Sequence, residues 1–133
     1  IKTHSGIWFN PIHPTSDMIV IEDIAHALSH QCRFGGHVPK FYSVAQHSYE
    51  CSLRCQDKFA ALMHDASEAY LIDIPRPIKL KLTNYKEIED NLMKVISQKF
   101  GFQYPFSQDV KDVDDSVDLF DCYQVNADCF KVI

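Results

Sequence analysis

The chain has 133 residues, of which 46% are hydrophobic and 23% are charged. This length predicts one domain that can bury a core without disulfides or a structural metal. The formal charge of −5 argues against a protein that coats nucleic acid, because neutralising phosphates requires a basic surface. No apolar run in the sequence approaches the roughly 18 residues of a membrane helix, so we expect no membrane partner.

The five cysteines are odd in number and form no paired framework. This usage favours free thiols in a reducing compartment over a secreted scaffold, and no signal-peptide pattern precedes them. We therefore expect a cytoplasmic protein. Cys51 and Cys55 have a spacing that could hold a metal, but no second Cys/His pair of zinc-ribbon type accompanies them, so we favour a structural role.

Residues 1–21 contain prolines that interrupt any helical period, whereas apolar residues recur with helical spacing from Glu22 onward. The sequence predicts five helices. The first runs from Glu22 to before Gly35, and the second from Ser43, which forms a capping box with Gln46, to about Cys55. The third lies around residues 59–63 and ends before Pro75, the fourth runs from Asn84 to near Gly101, and the fifth follows the cap Ser107. The predicted fold is a compact all-α single domain over residues 1–133. It has an irregular extension over 1–21 and a helical core over 22–123.

The stretch from Phe59 to Met63 is apolar all the way round, so we expect the third helix to lie in the centre of the fold. His64 and Asp65 follow it directly. Burying an imidazole and a carboxylate there costs several kcal/mol unless they pair or bind a cation. The dipeptide alone favours a satisfied core pair.

Other polar residues with helical spacing change this interpretation. His47 lies on the inward face of its helix, and Glu68 lies one turn after His64. On the last helix, Asp114 and Asp121 fall at the edge of the apolar stripe, whereas Asp112 and Asp115 point away. Two imidazoles and two carboxylates with open positions suit a catalytic Mn, Co, Fe or Zn ion better than a closed structural zinc site.

The order His47, His64-Asp65 and Asp114 resembles the HD-domain metal-dependent phosphohydrolases. Residues 64–68 and 73–79 are similar to the corresponding run of bacterial 5′-deoxynucleotidases. Residues at four further places resemble a phage and prophage branch of that family, namely 23–29, 32–34, 37 and 41–48. This branch includes phage dATP triphosphohydrolases. Together these motifs cover residues 6 to about 121.

The resemblance implies a role for each matching position. His47, His64, Asp65 and Asp114 would be the metal ligands, with Asp118 or Asp121 as assistants or replacements of Asp114. Glu68 would be the catalytic acid that orients or deprotonates the attacking water, and Asp65 would share in catalysis. The implied substrate-binding residues are Arg33, Phe34, Gly36, His37, Arg76, Pro77 and Lys79.

The resemblance also implies the activity. The expected enzyme is a dATP triphosphohydrolase that converts dATP to deoxyadenosine and triphosphate, with dADP and dAMP as further substrates. The alternative within enzymes is a general 5′-deoxynucleotidase, and the alternative outside enzymes is a non-catalytic nucleotide-binding HD scaffold. The expected cofactor is Zn, Co or Mn, with Mg as a candidate second ion. The expected assembly is a homo-oligomer, a dimer or hexamer, in the cytoplasm (of the host if the chain is phage-encoded).

Overall fold

The computed structural model describes residues 1–118, and this part of the chain is all helical apart from turns and two isolated β-bridges. Its α-helices are α1 (Ile21–His30), α2 (Val44–Arg54), α3 (Lys58–Met63), α4 (Glu68–Leu71), α5 (Arg76–Lys79), α6 (Tyr85–Phe100) and α7 (residues 108–118). The predicted all-α class is confirmed. None of these helices combines the length and the apolarity needed to cross a bilayer.

The predicted helix boundaries hold where a local capping signal sets them. The hydroxyl of Ser43 accepts a hydrogen bond from the Gln46 N–H at 3.0 Å, at the start of α2. The hydroxyl of Ser107 accepts from the Val110 N–H at 3.4 Å, at the start of α7. Gly101 ends α6 with a φ of 79°, a left-handed conformation that costs glycine little.

The third helix is shorter and less buried than the sequence predicts. It ends at Met63, and a turn over residues 64–67 separates it from α4. Phe59 and Leu62 are 41% and 39% exposed, whereas Ala60, Ala61 and Met63 are buried. The expectation of a helix buried all round is therefore wrong. A six-residue helix that packs against α2 presents one face to the core and the other to solvent.

Two groups of buried apolar side chains form the interior, and α2 contributes to both. The larger includes Phe9, Ile19, Ile24, Leu28, Val44, Leu92, Met93 and Ile96. The smaller consists of Cys51, Cys55, Ala60, Ala61, Val110 and Val117. His47 follows Val44 by three residues and precedes Cys51 by four, so α2 places its imidazole between the two groups.

Candidate metal centre and its cavity

Two imidazoles and two carboxylates meet where α2, the turn after α3, and α7 converge. Oδ1 of Asp114 lies 2.9 Å from Nε2 of His47 and 3.2 Å from Nε2 of His64. Oδ2 of Asp65 lies 3.2 Å from Nε2 of His64 and 3.8 Å from Nε2 of His47. His47 is fully buried, at 0% exposure. These four residues are the predicted ligands, and the structure brings all of them together.

The turn after α3 explains how two adjacent residues reach one centre. Neighbouring side chains on a continuous helix diverge by about 100°, whereas His64 and Asp65 lie where the helix has ended. Nδ1 of His64 lies 2.6 Å from the Ala61 carbonyl oxygen. A carbonyl only accepts, so Nδ1 carries the proton of this bond and Nε2 faces the carboxylates.

Arg33 contacts His47 at Nδ1, the ring nitrogen that does not face Asp114. Its Nη1 lies 3.0 Å from Nδ1 of His47, and its Nη2 lies 2.7 Å from Oδ1 of Asp118. A guanidinium only donates, so Asp118 and Nδ1 of His47 both accept from Arg33, and the proton of the neutral His47 ring lies on Nε2 when no metal is bound. Asp118 also has a carboxylate oxygen within 4.8 Å of those of Asp114 and Asp115. The distances to both imidazoles favour Asp114 as the ligand and leave Asp118 an assisting position; Asp121 lies outside the described residues.

The charges of the centre depend on one another. Burial opposes a charge on His64, but the Asp65 and Asp114 carboxylates outweigh it and raise the pKa of His64 well above its usual value. Burial would raise the pKa of Asp114, but hydrogen bonds from His47 and His64 hold it well below its usual value. Without a metal, the centre therefore holds a proton on His64. A divalent ion can replace that proton, because metal ligands bind in their deprotonated form.

Glu68 is the second acidic group of predicted function, and it lies at the start of α4 with only 6% exposure. Burial first, and then the neighbouring Asp65 and Asp73 carboxylates, raise its pKa far above that of an ordinary glutamate. Its Oε2 has no hydrogen-bond partner among the described residues. Buried oxygens are normally paired, so this atom indicates a place for a water molecule, an ion or a substrate.

A cavity of about 630 Å³ opens over Asp65, Glu68 and Asp114, which is a usual volume for a small-molecule site. Five of the predicted substrate-binding residues line it, namely Arg33, Phe34, His37, Arg76 and Lys79. The predicted Gly36 and Pro77 are not among its lining residues, whereas Gly35 and Pro75 are. The loops are therefore shifted relative to the expectation at these two positions.

The charges around the cavity nearly balance when no metal is bound. The acidic lining residues are Asp65, Glu68, Asp73, Asp114 and Asp118, and the cationic ones are Arg33, Arg76 and Lys79. The raised pKa of Glu68 favours its neutral form, and the raised pKa of the adjoining His64 favours its charged form. A divalent ion bound at the centre would therefore make the cavity attract a phosphate ester.

The loop between α1 and α2 holds Phe34 in an unusual backbone conformation. Its φ of 57° is left-handed, which costs a bulky residue about 1–3 kcal/mol and is typical of ligand sites. The loop is closed by the Arg33 N–H, which donates to the Tyr42 carbonyl at 2.8 Å. The Arg33 guanidinium lies 4.8 Å from the centre of the Phe34 ring. The loop therefore presents a cation and an aromatic face side by side at the cavity.

Cys51 is a residue of the centre that the sequence interpretation missed. Its Sγ lies 3.6 Å from Nε2 of His47. Together with ligand atoms of His47, His64 and Asp114 it forms a group whose members all lie within 4.8 Å of one another and could hold a metal ion. The i,i+4 spacing from His47 to Cys51 is the signal that could have found it, because residues four apart share a helix face.

A second cavity of about 430 Å³ touches the same centre at His64, Asp65 and Asp114. Its cationic lining residues are Lys79, Lys86, Lys94 and Lys111, and its acidic ones include Glu89 and Asp90. Lys79 lies 3.2 Å from Glu89 and lines both cavities. Two cavities therefore adjoin the centre.

No protein-family model matches the chain. Over 116 residues, 86% of this chain, it is 49% identical to the uncharacterized protein YfdR of Escherichia coli strain K12. Over 109 residues, 73% of this chain, it is 36% identical to the uncharacterized protein RCAP_rcc00048 of Rhodobacter capsulatus. The matches span 65% and 56% of the lengths of these curated relatives, so the chain is similar to a part of two longer bacterial proteins.

Proposed function

We propose that the chain is a metal-dependent phosphohydrolase of deoxynucleotides and, more specifically, a dATP triphosphohydrolase. The observation that carries this proposal is the group of His64, Asp65 and Asp114 around the buried His47, beside a cavity that Glu68 also lines. Hydrolysis of a phosphate ester requires a group that transfers a proton and cations that stabilise the charge on the phosphate. A buried carboxyl, side chains that can bind a metal, and cationic residues lie together here.

The donor set fits the expected cofactor. Imidazole nitrogens and carboxylate oxygens suit Zn, Co or Mn. Oε2 of Glu68, which has no hydrogen-bond partner within residues 1–118, leaves a place for a water molecule beside the ion. His47, His64, Asp65 and Asp114 would hold the ion. Once bound, it would polarise the phosphate and lower the pKa of water. Asp118, with Asp114, offers oxygen ligands of the kind that a second ion such as Mg²⁺ prefers.

Glu68 would manage the proton. A cation beside Asp65 lowers the pKa of Glu68, so that its carboxylate accepts a proton from the attacking water. The water oxygen then bonds to the α-phosphorus, and the bond from that phosphorus to the 5′ oxygen breaks. Glu68 returns the proton to the 5′ oxygen, which leaves deoxyadenosine and triphosphate.

The loop between α1 and α2 would bind the nucleoside. The ring of Phe34 lines the cavity and offers a face on which a base can stack. Arg33 supplies a fixed charge beside the Phe34 ring. The choice of adenine itself rests on the resemblance to the phage enzymes.

The second cavity favours a triphosphate over a monophosphate through Lys94 and Lys111, since its other two lysines, Lys79 and Lys86, pair with Glu89 and Asp90. A substrate cleaved at the α-phosphate needs room for two further phosphates beyond the centre, and the second cavity adjoins His64 and Asp114. Lys111 and Lys94 are exposed cations on that side. The general 5′-deoxynucleotidase, which releases orthophosphate from monophosphates, needs only the first cavity.

Product analysis tests the proposal. The chain is incubated with dATP, dAMP and dGTP in Mn²⁺ or Co²⁺, and the products are separated by chromatography. Deoxyadenosine and intact triphosphate from dATP are the expected products, whereas orthophosphate from dAMP alone would favour the general nucleotidase.

The Asp65→Ala variant separates enzyme from scaffold, with Asp112→Ala, an exposed carboxylate of α7, as matched control. We expect hydrolysis to disappear only in Asp65→Ala. If the wild-type chain leaves every nucleotide intact, and Asp65→Ala binds nucleotides as tightly as wild type, the enzyme proposal fails in favour of the non-catalytic scaffold.

A further inference from the structure

We infer that the centre has a second ligand set, in which Cys51 binds a thiophilic divalent ion such as Zn²⁺ together with His47, His64 and Asp114. This inference deepens the proposed function and rests on it only through the shared metal centre. The two ligand sets have three residues in common. They differ in the fourth, which is an oxygen of Asp65 in one and the sulfur of Cys51 in the other.

The distances fit a sulfur ligand. Zinc binds sulfur at about 2.3 Å and nitrogen at about 2.0–2.1 Å, so the two ligand atoms of a tetrahedral site lie about 3.6 Å apart. Sγ of Cys51 lies 3.6 Å from Nε2 of His47. The ligand atoms of His47, Cys51, His64 and Asp114 all lie within 4.8 Å of one another, which is close enough for one ion to contact all four after small shifts.

The neighbouring cysteine shows that this placement is specific to Cys51. Cys55 lies one turn further along the chain and is buried as well, but its thiol donates to Oδ2 of Asp109 at 3.2 Å. Both thiols belong to the smaller apolar group. Cys51 alone of the two adjoins an imidazole of the centre, so a packing role that both cysteines share does not account for its position.

The ligand type determines which ion each set prefers. Thiolates select Zn and other soft ions, whereas Mn²⁺ and Mg²⁺ prefer oxygen ligands.

X-ray absorption spectroscopy of the Zn²⁺-loaded chain tests the inference directly. We expect one sulfur neighbour at about 2.3 Å from zinc in the wild-type chain. The sulfur neighbour should be absent in Cys51→Ser and retained in Cys55→Ser, the matched control at a second buried cysteine. The Mn²⁺-loaded wild-type chain should show nitrogen and oxygen neighbours only, a comparison that needs no variant and stands even if Cys51→Ser fails to fold.

A zinc site without sulfur in the wild-type chain, or a sulfur neighbour that persists in folded Cys51→Ser, would overturn the inference. The outcome is independent of the proposed activity. Hydrolysis of dATP by a chain whose zinc has no sulfur neighbour would leave the function standing without the second ligand set. A zinc–sulfur bond in a chain that hydrolyses no nucleotide would do the reverse.

Discussion

The metal centre (His47, His64, Asp65 and Asp114) and the cationic rim of its cavity (Arg76 and Lys79) differ in how far their side chains are exposed to solvent. His47 is 0% exposed and its partners in the centre hold one another within 2.9 to 3.8 Å. In the rim, the Arg76 side chain is 72% exposed and reaches Asp115 at 3.9 Å, and Lys79 is 31% exposed. The fold thus fixes the groups proposed for the chemistry, whereas the groups proposed for the phosphates are held by weak, solvent-screened pairs.

The difference teaches where substitutions should matter. In the centre, each side chain contacts several others, so removing one leaves buried charges without their partners. In the rim, Arg76 and Lys79 pair with Asp115 and Glu89 where solvent reaches both partners, so removing one cation leaves no buried charge behind. The largest effects are therefore expected in the centre, and the rim should give the smallest.

The strongest test of the centre is Asp114→Ala. Asp114 is the carboxylate that both imidazoles share, so we expect divalent-ion binding and hydrolysis to fall below detection. Isothermal titration with Mn²⁺ measures the first, and product analysis the second. Asp112→Ala, on the exposed side of the same helix, should bind the ion as wild type does. Equal ion affinity in both variants would contradict the ligand role of Asp114.

Replacing Glu68 by Gln should separate catalysis from ion binding. Glutamine keeps the shape of the side chain but cannot accept the proton, so we expect kcat to fall by about 10²–10⁴-fold while Mn²⁺ affinity stays near that of wild type. The matched control is Glu87→Gln, an exposed glutamate of α6. A large loss of ion affinity in Glu68→Gln would instead make Glu68 a ligand.

The sequence predicted the parts of the centre that local rules determine. The Ser43 cap and the apolar spacing of α2 placed His47 inward, and the 100° step along the last helix distinguished Asp114 from Asp112. The position at which the third helix ends was not predicted. The proline at position 75 required an end before it, whereas the helix ends at Met63 and so brings His64 and Asp65 to one point. No glycine or proline stands in residues 63–67 to mark this end.

The loops were predicted less well than the helices. Gly35 lines the cavity in place of Gly36, and Pro75 in place of Pro77. The left-handed conformation of Phe34 sets the direction of the first loop, and no pattern in the sequence indicates that a bulky residue will adopt it. A structural role was predicted for Cys51 because the sequence has no second Cys/His pair of zinc-ribbon type to accompany Cys51 and Cys55.

Arg33 joins the centre to the loop, and Arg33→Lys tests that link. Lysine keeps the charge but loses the fork that contacts His47 and Asp118. We expect the free energy of unfolding to fall by about 1–3 kcal/mol, measured by urea denaturation. Arg54→Lys is the control, because Arg54 pairs with Glu50 at 2.8 Å on the exposed side of α2, where a loss of about 0.5 kcal/mol or less is expected. Equal losses of unfolding free energy in Arg33→Lys and Arg54→Lys would contradict a structural link between Arg33 and the centre.

The pH dependence of Mn²⁺ binding tests the charges of the centre. Because Asp65 and Asp114 raise the pKa of His64, the stability that its protonation gives the metal-free chain is present below the unfolded pKa of about 6.5. That stability is lost as the pH rises through the raised pKa. Mn²⁺ must displace this proton, so its affinity should rise about tenfold per pH unit from pH 6 upward and level off above the raised pKa. An affinity independent of pH over this range would contradict a protonated His64.

The rim should give the smallest effect, and Arg76→Ala measures it. Arg76 makes a long, exposed contact with Asp115, and such pairs contribute about 0–1 kcal/mol. We therefore expect the free energy of unfolding to change by less than about 0.5 kcal/mol and KM for dATP to rise by about fivefold or less, with kcat nearly unchanged. Arg54→Ala, far from the cavity lining, controls for loss of surface charge and should leave KM unaltered. A fall in kcat comparable to that of Glu68→Gln would show that Arg76 contacts the reacting phosphate in the transition state. The rim would then take part in the chemical step, as the centre is proposed to do.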